Sequence, residues 1–161
     1  MSTNFQTADT LSPKPAMDSL GLVSQVRALL GRFPLSVLQL GMRVGVGAVF
    51  FNAGLLKYQS FEFAVKLFEE EYKVPFLDPT FAARLAMTQE LTIPIFLFLG
   101  LATRIATLPL LGMITVIQLF VYPNAWTDHL LWGSILVFLL TRGPGAFSLD
   151  HLLAKRFQGR K

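Results

Sequence analysis

Residues 35–56 read LSVLQLGMRVGVGAVFFNAGLL and contain one ionisable side chain, Arg43. A helix needs about 20 predominantly apolar residues to cross a hydrocarbon core roughly 30 Å thick, and this run supplies them. Pro34 stands just before it. Proline suits a helix start because its missing N–H would find no intrahelical partner there in any case. The stretch therefore predicts a membrane-spanning helix, and the fold follows from counting its companions.

Moving outward, Phe81 to Ala102 is a second apolar run, with Pro94 inside it as a candidate kink. A turn at Thr103 and Arg104 leads to a third, Ile105 to Tyr122. Tyr122-Pro-Asn-Ala-Trp126 then reads as an interfacial turn with aromatic anchors. The fourth run, Leu130 to Leu140, is short. Counted from Trp126 it gives about 22 Å of helix, which asks for local thinning or a partly buried end. Between the first two spans, residues 57–80 hold Glu62, Glu69, Glu70, Glu71 and Asp78 interleaved with Phe61, Phe63, Val65, Leu67 and Phe68. That mixture predicts a short interfacial helix. The expected fold is an all-α membrane protein, a four-transmembrane-helix antiparallel bundle with short interfacial helices. Residues 1–17 form a polar tail and 18–32 an amphipathic interfacial helix. Residues 33–142 form the membrane domain and 143–161 a basic tail, with a short helix from Leu149 capped by Ser148.

Composition narrows the chemistry. The chain has 53% hydrophobic and 15% charged residues, against about 25% charged in a typical soluble domain. It has no cysteine, so disulfide relays, iron–sulfur clusters and thiolate metal sites are excluded. Of its two histidines, His151 lies in the basic tail, which leaves no facing pair for a haem. No phosphate loop, zinc motif or dinucleotide fingerprint is present. The net charge of +4 does not mark a nucleic-acid binder, because the basic residues gather at the flanks of the apolar runs. Nine of them fall on the side of the termini and four on the other, which places both termini in the cytoplasm of a bacterial inner membrane. Residues 1–17 lack the apolar segment of a cleavable signal peptide.

An ordered set of short pieces runs through the chain. It comprises Arg43, Gly54-Leu-Leu-Lys57, Phe68-Glu-Glu-Glu-Tyr-Lys-Val-Pro75, Glu90, Gly100-Leu-Ala-Thr-Arg104, His129-Leu-Leu-Trp132 and Gly143-Pro-Gly-Ala-Phe-Ser-Leu-Asp150. In order and spacing this set, over about residues 37–153, resembles the DoxX family of small bacterial membrane proteins. The resemblance implies a four-helix membrane protein. The family takes its name from a quinol-oxidase subunit, and other members are linked to redox-stress complexes or metal-related operons. By that implication the chain is a redox-linked accessory subunit.

Polar side chains inside the spans are the candidates for function, since a charge at mid-bilayer costs about 2.5–3.5 kcal/mol on insertion scales. Glu90 lies near the middle of the second span and Arg43 about nine residues into the first. If the two helices run antiparallel, the pair meets at mid-depth. One reading is an ion pair that only locks the helices. The other makes Glu90 and Arg43 a catalytic pair, with the carboxylate exchanging a proton as a quinol is oxidised and the guanidinium keeping it ionised. A second group, Asn52, Lys57, Gln118 and His129, lies toward the outer face of the membrane. It offers hydrogen-bond donors for the two ends of a quinone head group, and the imidazole of His129 suits proton exchange. Gly41 and Gly45 form a GxxxG pair that serves either packing within the chain or self-association.

Three functions fit: a subunit that binds quinone or quinol beside a partner oxidoreductase, a membrane scaffold or assembly factor, and a small oligomeric permease. Whether the chain is itself an enzyme stays open. The expected partners are the lipid bilayer, an oxidoreductase subunit and further copies of the chain.

Overall fold

The computed structural model describes residues 16–158, so of the tail expected over residues 1–17 the first fifteen residues lie outside the described residues, and the last two belong to a helix. The described chain is helical, with no strand. It divides into two compact units, residues 1–33 and 34–161. The first contains helix α1, Ala16–Gly31.

The second unit begins with α2, Leu35–Gln59, with Pro34 at φ −67° immediately before it. Helix α3, Phe61–Leu67, continues into a π-helical turn, Phe68–Tyr72, which Lys73 ends in the left-handed conformation. Helix α4, Pro79–Leu99, starts at Asp78, whose side chain accepts the Phe81 N–H at 3.0 Å. It stops at Gly100, which takes φ 65°. There the Leu101 N–H reaches the Phe96 carbonyl and the Gly100 N–H that of Leu97, a helix ending that needs a residue free to turn left-handed. Helix α5, Thr103–Val116, runs on as a second π turn, Ile117–Val121. Helices α6, Trp126–Arg142, and α7, Leu149–Gln158, complete the unit.

Three helices, α2, α4 and α5 with its π turn, are long and apolar enough to cross a membrane. At 17 residues α6 is shorter, about 25 Å. It packs along α5 and α2 and closes an all-α, four-helix membrane bundle. The end holding Leu35, Leu99, Thr103 and Arg142 is called proximal here, and the other end distal. The apolar core fills the bundle with Val46, Phe50, Leu97, Leu110, Ile114, Leu136 and Leu139. A second cluster seats α3 and its π turn on the start of α4, through Phe68 against Ala82 and Ala83.

Two glycines set the register of α2 against α4. A Cβ on Gly54 would stand 2.9 Å from the Glu90 Cβ, and one on Gly47 would stand 2.6 Å from the Phe98 ring. Gly54 thus lies opposite Glu90, and Gly47 opposite Phe98. The packing role considered for Gly41 and Gly45 is not what the structure shows. Both face outward, with nothing within 4 Å of where a Cβ would be.

Candidate functional site

The register separates the two residues expected to pair. Arg43 stands eleven positions before Gly54, so it lies about 16 Å along the axis from the level of Glu90. Counting depth from the start of α2 hid this, because that helix is longer than a bilayer requires. Arg43 and Glu90 belong to different ends of the bundle.

At the proximal end Arg43 is fully buried. Its Nη1 donates to the Leu97 carbonyl at 3.1 Å and its Nη2 to the Phe147 carbonyl. One of these acceptors is at the C-terminus of α4, where a cation is favoured by the helix dipole. Asp150 performs the opposite task. Its carboxylate accepts the N–H groups of Ala102 and Thr103 at 2.7 and 3.0 Å, capping the N-terminus of α5 from 47 residues away. Ala102 has φ 46° and provides no side-chain cap itself. The 143–150 segment is tied down further. Gln39 Nε2 donates to the Gly143 carbonyl at 3.0 Å, and Ser36 Oγ accepts the Ala146 N–H at 3.1 Å. Ser148 caps α7 as expected, accepting the His151 N–H at 3.2 Å. The Gly143–Asp150 motif is a clasp that holds four helix ends together.

The distal half is different. A cavity of about 680 Å³ lies among α2, α4, α5 and α6, and the two π turns line its mouth. Its walls are mainly apolar, with Phe50, Phe68, Met113 and Trp132 among them. Lys57, Glu90 and His129 line it too. Lys57 Nζ bonds both carboxylate oxygens of the buried Glu90, at 2.9 and 2.7 Å. Lys57 is therefore the partner of Glu90. An ammonium carries three N–H groups, and among the described residues only these two acceptors engage it, so one donor remains for the cavity.

His129 is buried and bonds through Nδ1 to Gln118 Oε1 at 2.7 Å. The Gln118 amide is oriented by its Nε2, which donates to the Pro123 carbonyl at 2.8 Å. Its Oε1 can only accept, so Nδ1 donates, and Nε2 is the ring nitrogen with no partner among the described residues. The ring lies 5.8 Å from that of Trp132.

Of the residues predicted for the site, Lys57, Glu90 and His129 meet at the cavity, and Gln118 stands behind His129. Arg43 does not reach it. Asn52 is exposed on the outer face of α2 and does not line it, because its position points away from the Ala53–Lys57 face.

Three residues at the mouth were not among the expected site residues. The Tyr122 hydroxyl donates to Glu71 Oε1 at 2.8 Å and lies 3.4 Å from the Tyr72 hydroxyl. The two tyrosine rings pack edge to face at 5.6 Å. The bond with Tyr72, partial burial and the bond to Glu71 all favour the neutral phenol and raise the Tyr122 pKa above the usual tyrosine value. About fifty residues separate these partners, and no spacing rule joins them.

The DoxX family model matches residues 38–123, just over half of the chain. No curated protein and no solved structure matches it. The matched span takes in α2 to α5 and with them Arg43, Lys57, Glu90 and Gln118, while His129 and the clasp lie beyond it. With its apolar helices and its match over more than half its length, the chain is a membrane protein that belongs to the DoxX family.

Proposed function

We propose that the distal cavity binds the head group of a quinone or quinol and that the chain serves as an accessory subunit to an oxidoreductase. The observation that carries this reading is the polar content of an otherwise apolar cavity. One uncommitted Lys57 N–H and one uncommitted His129 nitrogen stand on different helices, with a buried carboxylate beside them. A quinone head group has an oxygen at each end of an apolar ring. Its carbonyl accepts from Lys57, and the quinol hydroxyl donates to His129 or Glu90. The cavity volume lies in the range of small-molecule sites, roughly 300–1,000 Å³.

Oxidising a quinol releases protons and electrons together. Glu90 and His129 accept the protons, and the redox centre of a partner subunit accepts the electrons. In this reading Arg43 is a structural residue. A bacterial inner membrane, with both termini in the cytoplasm, suits the charge bias of the flanks. Self-association through the outward Gly41 and Gly45 face belongs to the same reading.

The test is binding of a short-chain benzoquinone to the purified protein in detergent, read by quenching of Trp132, with Trp126→Phe removing the other tryptophan. Saturable quenching that disappears in Glu90→Gln and His129→Ala, with the helical content of both variants retained, supports the proposal. Absence of saturable quenching in the parent protein refutes it and leaves the scaffold and permease readings.

A further inference from the structure

His129 lines a second concavity besides the cavity. A groove of about 310 Å³ lies on the outer flank of α5 and α6, bounded by Ile114, Gln118, Leu119, Trp126 and Leu130. Leu119, Trp126 and Leu130 are exposed, so in a bilayer the groove opens sideways onto acyl chains. His129 borders both spaces, and the Gln118 amide that it holds borders the groove. The boundary at this point is a pair of side chains joined by one hydrogen bond. Side chains change rotamer far faster than packed helices separate.

We infer that the groove is the subsite for the hydrocarbon tail of the ligand whose polar head occupies the cavity, and that the His129–Gln118 pair is the door between them. The inference rests on reading the cavity as a head-group site. Its support is that His129 borders both spaces and that the groove is apolar and adjoins the cavity. At the distal end the lining carries Asp128, Tyr72 and Tyr122, with Glu71 bonded to the Tyr122 hydroxyl, beside the apolar Leu77 and Val121. On the α2–α4 side the helices touch at Gly54 and leave no room. On the flank of α5 and α6, beside the π turn, lies the apolar groove that shares His129 with the cavity. A tail left in water at the mouth would forgo about 0.8 kcal/mol per methylene. Laid in the groove it stays among apolar atoms while the head keeps its hydrogen bonds.

The two tryptophans make the inference testable, since Trp132 lines the cavity and Trp126 the groove. The probes are a benzoquinone with a terminally brominated decyl chain and the same ring with a methyl in its place. Both are titrated into single-tryptophan proteins, Trp126→Phe and Trp132→Phe. Gly112 lines the cavity with nothing within 4 Å of a Cβ, so Gly112→Leu fills the space without displacing the chain.

The expected result has three parts. Both probes quench Trp132, only the brominated tail quenches Trp126, and Gly112→Leu abolishes both signals. Leu130→Trp, which fills the groove, should weaken the tailed probe about tenfold and leave the methyl probe unchanged. Quenching of Trp132 without Trp126 overturns the inference and spares the head-group reading. So does Trp126 quenching that persists in Gly112→Leu, which marks an ordinary acyl-chain contact. No quenching of Trp132 by either probe overturns both.

Discussion

The two ends of the bundle use their charges in opposite ways. At the proximal end Arg43 and Asp150 bond backbone groups, one at the end of α4 and the other at the start of α5. At the distal end Lys57 and Glu90 bond each other, beside empty space, and one ammonium N–H stays uncommitted. A charge committed to its own backbone fixes a fold, whereas one with bonding capacity left over at a cavity is available to a ligand. Position in the membrane does not distinguish these cases; the identity of the partner does.

The contrast is broken most sharply by Arg43→Leu. The Phe147 carbonyl loses its donor, the Leu97 carbonyl keeps only the Gly100 N–H, and the space of the guanidinium is left unfilled, so stability should fall by about 3–5 kcal/mol, read as the melting temperature in detergent. The same variant, studied below that temperature, should bind the short-chain quinone as the parent does. Loss of binding in a folded Arg43→Leu protein would merge the two ends into one site.

Glu90→Gln comes next. It strands the Lys57 ammonium, which is partly accessible from the cavity, so the cost is smaller, about 1–3 kcal/mol. The double variant Lys57→Met with Glu90→Leu should regain that stability, because replacing a buried ion pair by apolar side chains is often neutral or better. It should still fail to bind quinone. Recovery of binding in the double variant would show that the pair serves only to lock α2 against α4.

Gln118→Leu removes the group that fixes the His129 tautomer and should cost about 1 kcal/mol. Ligand affinity should then fall less than in His129→Ala, as measured by the same quenching titration. The smallest effect concerns the mouth. The Tyr122 pKa is raised in the folded protein, so the stability it lends is present below the ordinary tyrosine value, near pH 10, and is lost as pH rises beyond it. The protection of amides at residues 68–72, relative to their intrinsic exchange at each pH, should fall in that alkaline window and not in Tyr122→Phe. An equal fall in both would remove Tyr122 from the control of the mouth.

Much of this architecture is legible in the amino-acid sequence. Hydropathy marks α2, α4 and α5. Pro34 and Ser148 mark the starts of α2 and α7 for the reasons that cap helices generally, whereas the Asp78 cap of α4 shows only in the structure. Glu90 stands out because hydrocarbon excludes it. What was not legible is register. The pairing of α2 with α4 depends on where Gly47 and Gly54 let the backbones meet, and no hydropathy window contains that. The azimuth of Asn52 was hidden for a related reason, since a polar residue near the apolar face of a helix need not point to the same side. Gln39 and Asp150 looked like ordinary polar residues, because their acceptors and donors are backbone groups more than forty residues away.

The π turn at Ile117–Val121 bears on how this chain compares with its relatives. Such a turn holds one residue more than an α-helical turn, which amounts to a single insertion within α5. Without it, everything after the turn would rotate by about 100° around the helix. Gln118 and Pro123 would part, and the amide that orients His129 would lose its anchor. A family member with one residue fewer between Ile114 and Trp126 should therefore keep the bundle and lose the door, so that a one-position alignment gap sorts the family into chains with and without it.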